Sequence, residues 1–361
     1  MRGRFRPRKK ESKMADLITI DGSHGEGGGQ MLRTSLSLSA AYGIPFEMVN
    51  IRAKREKPGL KRQHLTCAKA LAEVCGAELS DVGVGSMSLR FRPHGIKGGK
   101  YRFDIGTAGS VTLVAQTLIP VLLRADSPST VTITGGTHVP FAPIWEFFAE
   151  TYLPELRRMG ARVEAELEQC GFYPAAGGAL KLRVWPYDET NRPERYALTD
   201  LGAYLGGSVE GVVSHIPRSI AEAEAGIVGT QLRDLALERV VREVDAFGPG
   251  NYCCVRLRYE HASVVFSGIG TYSKSRKSVA TEVVHQVRDF VKSGAACEKH
   301  LADQLLVPLH LFFGRSNEWD EGYECWVNNW NLAIQKETSH FTTNEAVIAA
   351  FNRLRHSWTF D

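Results

Sequence analysis

Nowhere does this chain stay apolar for the roughly 18 residues that a membrane helix needs. No apolar signal-peptide core follows its basic N-terminus. Its seven cysteines include no C-x-x-C pair. An odd count, with Cys253 and Cys254 adjacent and Cys67 and Cys75 on predicted helix faces, argues against a disulfide or zinc framework. It points to a reducing, cytoplasmic compartment, or the nucleus in a eukaryotic source. A charge of one sign is also lacking once the N-terminus is set aside. Residues 1–13 carry seven Lys and Arg against Glu11, a balance of +6; the whole chain is +4, which leaves −2 for the body. Those 13 residues read as a disordered basic tail, with a weak nucleic-acid-binding arm as the functional alternative. What remains is ordinary for a globular protein: 361 residues, 43% apolar and 23% charged, long enough for two domains and a large core.

The most informative stretch present is His24-Gly25-Glu26-Gly27-Gly28-Gly29-Gln30. It joins a predicted strand, Leu17 to Asp21, to a predicted helix from Gln30 to Tyr42 with Leu32, Leu36 and Ala40 on one face. A glycine-rich turn at a helix N-terminus offers bare N–H groups and a positive dipole end, which suits phosphate. Glu26 inside such a cradle suggests a bridging cation with oxygen ligands, Mg²⁺ or Mn²⁺. The turn is neither a Walker loop nor a dinucleotide fingerprint. A tight turn with no ligand is the plainer alternative.

The pattern repeats. Residues 17–94 read strand, helix, strand, helix, strand, with the second helix from Gln63 to Cys75 and a closing strand from Ser88 to Arg92. Residues 101–186 read alike: a strand from Tyr101 to Ile105, the turn Gly106-Thr107-Ala108-Gly109-Ser110, a helix from Val111 to Leu123, a strand from Val131 to Thr134, a helix from Ile144 to Met159, and a strand from Leu180 to Val184. A shorter third unit has helices near Glu298–Phe313 and Asn344–Arg355 and strands near Cys325–Asn328 and Trp358–Phe360. Three such units predict an α/β fold with two helices laid on each sheet. Between the second and third, residues 187–292 differ in texture and read as an inserted domain. The expected division is a tail (1–13), a main domain of three repeats (14–186 and 293–361) and the insert.

Three clusters could carry chemistry. Arg52, Lys54, Arg55, Lys57, Lys61 and Arg62 put six cations in eleven residues on a loop beside the glycine-rich turn, a composition suited to polyphosphate or nucleic acid. His300, Asp303 and Gln304 share one face of a predicted helix whose Leu301, Leu305 and Leu309 face the core. Such a stripe can bind a base, a ribose or a metal, or simply face water. His340 lies two residues before a helix opened by the capping box Thr342 and Glu345. The dipole there keeps an imidazole neutral, and a neutral imidazole is a competent nucleophile toward phosphorus. A satisfied surface or core histidine is the alternative.

Taken together, these residues resemble the RNA 3′-terminal phosphate cyclases across most of residues 17–355. The resemblance rests on Asp21-Gly-Ser-His-Gly-Glu-Gly-Gly-Gly-Gln30-Met-Leu-Arg33, Ile51-Arg-Ala-Lys-Arg-Glu-Lys-Pro-Gly-Leu60 with Arg62-Gln-His64, Gly135-Gly-Thr137 followed by Ala142-Pro143, Gly171-Phe-Tyr-Pro-Ala175, Gly248-Pro-Gly-Asn251, His300-Leu-Ala-Asp-Gln304 and His340-x-x-Thr-Asn344. It implies three units like the C-terminal domain of translation initiation factor three, plus one insert. It implies an ATP-dependent ligase: a histidine is adenylylated, AMP passes to an RNA 3′-phosphate, and the 2′-hydroxyl closes a 2′,3′-cyclic phosphate.

Carried over by position, the resemblance makes His340 the nucleophile and Glu26 the metal-binding carboxylate. It makes Gln116, Pro143, His300, Leu301, Ala302, Asp303 and Gln304 the adenylate pocket, and Arg33, Arg52, Arg55 and Gln63 the phosphate and RNA contacts. RNA with a 3′-phosphate end is the implied partner; no membrane or obligatory protein partner is implied. Two segments depart from the family pattern, Gly270–Ser278 and Asn317–Asn331. Two other readings compete. One is a non-catalytic cyclase-like factor of RNA processing or ribosome assembly, which His340 and Asp303-Gln304 argue against. The other is an enolpyruvyl transferase of similar architecture, which leaves the adenylate-pocket residues unexplained.

Overall fold

Alternation at the start of the chain places Ile18 and Ile20 inward on strand β1 (Ile18–Asp21). The computed structural model describes residues 17–24, 28–194, 196–313 and positions 347, 348 and 351. After β1 come helix α1 (Gly29–Tyr42), β2 (Phe46–Val49), α2 (Arg62–Cys75), β3 (Glu78–Leu79) and β4 (Leu89–Arg92). Both helices stop at a glycine in the left-handed region, Gly43 at φ 70° and Gly76 at φ 58°, where a Cβ would be strained. The sheet runs β1-β2-β4-β3, with β1 and β2 parallel and the other pairings antiparallel.

The second unit has β5 (Lys100–Asp104), α3 (Val111–Leu122), β6 (Ser129–Gly135), α4 (Trp145–Phe147), a π-helical stretch Phe148–Tyr152 running into α5 (Leu153–Arg158), β7 (Val163–Gln169) and β8 (Gly178–Val184). Its order, β5-β6-β8-β7, matches the first sheet in position and strand sense. The single helix expected from Ile144 to Met159 is thus three segments, with Pro154 at the start of the last. Strand β7 was not anticipated, although Val163, Ala165 and Leu167 alternate with glutamates along it, a period-two signal.

A third sheet follows, formed by β9 (Tyr204–Ser214), β10 (Glu238–Glu243), β11 (Gly250–Tyr259) and β12 (Ser263–Ile269) in the order β10-β9-β11-β12. Helices α6 (Ser219–Gln231) and α7 (Arg276–Ser293) cover one face. There Val209, Cys253, Val255, Leu257, Val264 and Phe266 pack with the helices in a separate cluster. The other face turns to the main body: Val212, Tyr252, Cys254, Val265 and Ile269 join the large core. The segment expected as an insert therefore has two apolar faces, one its own and one shared.

Helix α8 (Lys299–Phe313) lies against α1 and α3. Glu298 caps it, its Oε2 accepting from the backbone N–H of His300 (2.8 Å) and Leu301 (2.9 Å). Val347 and Phe351 are helical and buried, and the Phe351 ring meets Phe46 of β2 edge-on at 6.3 Å. The strands expected near 325–328 and 358–360 lie outside the described residues. Among those described, no helix is long and apolar enough to cross a membrane.

One buried carboxyl has a consequence for stability. Glu224 of α6 is fully buried; its Oε1 accepts from Asn251 Nδ2 at 2.7 Å, and Oε2 has no hydrogen-bond partner among the described residues. Burial pushes its pKa up to about 7, against the pull of the Asn251 hydrogen bond. The folded chain thus holds a proton that the unfolded chain releases near its ordinary 4.5. Stability should fall as pH rises from about 4.5 to about 7. Glu224→Gln should flatten that slope and be the more stable protein above pH 7, by up to about 3 kcal/mol. Superimposable urea midpoints for the two proteins across this range would refute the assignment.

Candidate active site

The site begins where two helix N-termini meet. Helix α1 starts after Gly28 with no side-chain cap and no acidic residue in its first turn, so its dipole end stays positive. His64 of α2 packs directly beneath, and a Cβ on Gly29 would run into its ring. Glycine at position 29 is therefore a steric requirement of the close approach. His64 Nδ1 accepts from the Lys61 backbone N–H at 3.2 Å, completing a capping box at the start of α2. Burial first, then the charges of Arg33, Arg52 and Lys61, push its pKa down to about 3. At neutral pH the ring is uncharged and acts as a wedge.

Cations surround this wedge. Arg33 stands on α1, half-buried; burial lowers its pKa, opposed by Cys67 and by the Asp303 carboxylate. Arg55 is exposed and reaches over the glycine-rich turn, its Nη2 being 3.2 Å from where a Cβ on Gly28 would sit. Arg52 behaves differently. It is 6% exposed, has φ 52°, and its Nη1 donates to the carbonyls of Lys57 (2.7 Å) and Gly59 (2.8 Å). The resemblance makes Arg52 an RNA contact; the structure gives this guanidinium a second task, folding the basic loop onto itself. Gln63 Oε1 accepts from the Ser110 N–H at 2.8 Å and so ties α2 to the glycine turn of the second unit.

The third contribution comes from α1, α3 and α8 together. Gln116 Nε2 on α3 donates to Gln304 Oε1 on α8 at 2.6 Å, and Gln30 Nε2 on α1 donates to Asp303 Oδ2. Thr112 Oγ1 donates to the Pro143 carbonyl at 2.7 Å, fixing the loop after β6 to α3. Gln116, Pro143, Asp303 and Gln304, distant in sequence, thus stand on three adjoining elements. His300 is exposed on the first turn of α8, while Leu301 and Ala302 are buried, so their share in a pocket is through the backbone and packing. Glu26 and His340 lie outside the described residues.

Reading the sequence missed the wedge role of His64 and the Gln30–Asp303 pairing. It also missed three exposed aromatics, Phe141, Tyr173 and Phe247, on loops beside this region. The glycines flanking Tyr173 and Phe247 were the available signal, since glycine marks close backbone approach.

A family model for RNA 3′-terminal phosphate cyclase matches residues 24–357. An RNA 3′-terminal phosphate cyclase of Pseudomonas fluorescens is 45% identical over 342 residues, 94% of this chain and 94% of that one. One from Salmonella enteritidis is 39% identical over 344 residues, covering 95% and 96%. One from Koribacter versatilis is 38% identical over 341 residues, covering 94% and 91%.

The position of Arg52 makes a prediction about stability. Arg52→Ala should cost about 1–3 kcal/mol in urea unfolding, because two loop carbonyls lose a charged donor. Arg52→Lys should recover only part, since a lysine lacks the planar fork. An unchanged midpoint for Arg52→Ala would show that the loop does not depend on this arginine.

Proposed function

Since the chain belongs to the RNA 3′-terminal phosphate cyclase family, we propose that it converts an RNA 3′-terminal phosphate to a 2′,3′-cyclic phosphate at the cost of ATP, with His340 as the nucleophile. The observation that carries this reading is the convergence of Gln30, Gln116, Asp303 and Gln304 beside a cation-rich, glycine-opened helix terminus. One half supplies hydrogen-bonding groups of both signs, as a nucleoside needs; the other supplies cations, as phosphates need.

The steps balance as follows. A neutral His340 ring nitrogen attacks the α-phosphorus of ATP, a P–N bond forms, and pyrophosphate leaves. An oxygen of the RNA 3′-phosphate then attacks that phosphorus and the P–N bond breaks, freeing the histidine. Finally the 2′-hydroxyl attacks the 3′-phosphorus, loses its proton, and AMP departs. Arg33 and Arg55 would hold phosphate oxygens through charge-assisted hydrogen bonds. The Gln116–Gln304 and Gln30–Asp303 pairs would set the orientation of the adenylate.

Glu26 would hold Mg²⁺ or Mn²⁺. Among the described residues no group of three His, Cys, Asp or Glu could hold a metal. A single carboxylate completed by phosphate oxygens and water fits a hard cation that keeps part of its hydration shell. When bound, such a cation neutralises charge on the departing pyrophosphate.

The purified protein, given ATP labelled on its α-phosphate and a divalent cation, should form a covalent protein–AMP adduct that survives a denaturing gel. The linkage should be labile in acid and stable in base, as a phosphoramidate is. His340→Ala should abolish it, and an undiminished adduct in that variant would sink the assignment.

A further inference from the structure

Two glycine-bearing motifs, Gly171–Ala175 and Gly248–Asn251, have no part in the proposed chemistry, yet the fold brings them together. Cys170 and Ala246 form a β-bridge between the second and third sheets. A Cβ on Gly248 would strike Ala175, one on Gly250 would strike Phe172, and Phe247 packs over Gly177. Residues 174–179, against which Phe247 and Gly248 pack, form one wall of an open groove of about 540 Å³. The opposite wall is the turn Gly106–Thr107 with Asp104 and Thr134, at the C-terminal ends of parallel β5 and β6.

Resting on the cyclase reading, we propose that this groove binds the RNA nucleotides immediately upstream of the terminal one. Four features favour a nucleotide strand. The groove lies next to the site, because the turn whose Gly106 and Thr107 line it is tied at Ser110 to Gln63 of α2. Arg62, exposed at the start of α2, places its Nη1 4.0 Å from where a Cβ on Gly106 would sit, so a cation waits at the rim for a phosphodiester. Gly106, with only Arg62 Nη1 near the place a Cβ would take, leaves its side of the groove as bare backbone, open to the close approach of a flat ring. Two exposed aromatics flank this wall, Phe247 against Gly177 at 77% exposure and Tyr173 next to Pro174 at 50%. Such rings cost free energy in water and are the usual stacking platforms for single-stranded bases.

The one carboxylate in the groove sets the orientation. Asp104 Oδ1 accepts from Thr134 Oγ1 (2.7 Å) and from the Gly106 N–H (3.0 Å), which keeps it ionised and fixes the turn. Its charge repels phosphate from the interior. The phosphodiester therefore lies on the Arg62 side, with ribose hydroxyls and base amino groups turned inward as donors.

The test uses the full-length protein and RNAs that differ only in length. Phe247→Ala and Tyr173→Ala should each raise KM for a 3′-phosphate oligonucleotide by about 5- to 100-fold. They should leave cyclisation of a nucleoside 3′-phosphate, which has no upstream nucleotide, and formation of the protein–AMP adduct unchanged. Phe247→Trp should keep the tight binding, because stacking needs only a flat ring. Equal effects on long and short substrates, or no effect on either, would overturn the proposal. Anisotropy binding of an unreactive 3′-hydroxyl oligonucleotide separates this idea from the catalytic one. If the wild type forms no adduct and cyclises nothing, the cyclase reading fails by itself. Unaltered oligonucleotide binding by the two alanine variants would remove the groove whatever the chemistry.

Discussion

The site depends on a histidine that stays uncharged. His64 sits under Gly29, among Arg33, Arg52 and Lys61, with its pKa pushed down to about 3 by burial and by those cations. Were it protonated, another buried positive charge would join a cluster that already repels itself. As a neutral wedge it does the opposite. It holds the N-termini of α1 and α2 together without adding to the repulsion, and it concentrates the dipole end of α1 and the basic loop on one spot. Such an arrangement stores electrostatic free energy that a polyanion releases on binding. In the proposed reading, phosphate recognition would rest on a close backbone approach as much as on arginines.

Apart from β3 and β7, the strands and helices expected in the first two units were legible to within one or two residues, and the reasons are local. Ile18 and Ile20 alternate, Leu32 and Leu36 recur at helical spacing, and Gly43 and Gly76 stop their helices. The composition of 187–292 set that segment apart but gave none of its strands. The direction of Arg52 was not legible, because it depends on the left-handed backbone at that residue and on where the Lys57 and Gly59 carbonyls fall. Nor was the meeting of Gln116 with Gln304, which the chain separates by 188 positions. Periodicity says which face of a helix is apolar; it does not say which other helix will cover it. For that part of the site only the resemblance carried the expectation.

The junction between the third sheet and the main body follows the same logic of buried polar groups that must be satisfied. Glu146 of α4 is buried with His138 and Tyr252: its Oε2 lies 2.9 Å from His138 Nε2, and its Oε1 accepts from the Tyr252 hydroxyl at 2.6 Å. Burial raises the Glu146 pKa, but the His138 charge and the hydrogen bonds from both partners outweigh it and hold the carboxyl at about 2. The His138 and Tyr252 rings stack at 4.4 Å. Nearby, Arg256 Nε donates to Glu150 at 2.8 Å, and Arg256 also reaches Glu210. Removing one member of such a set leaves a buried charge unpaired, which costs more than the set itself contributes. Specific geometry, more than net stability, is what these groups supply.

That specificity explains why motifs so far apart in sequence belong to one device. His138 follows the Gly135-Gly-Thr137 turn, and Thr137 Oγ1 accepts from the Gly171 N–H at 2.9 Å. Tyr252 follows Gly248–Asn251. Glu146, between Pro143 and the π-helical stretch, joins the two. An apolar junction of the same size could slide by a fraction of an ångström; one closed by directed hydrogen bonds and a stacked pair cannot. The loop after β6 and the packed segments 171–178 and 246–250 are therefore held to one another. The third sheet would otherwise be free to shift on the main body; here Tyr252 of its inner face is fixed to Glu146, and through His138 to the loop after β6.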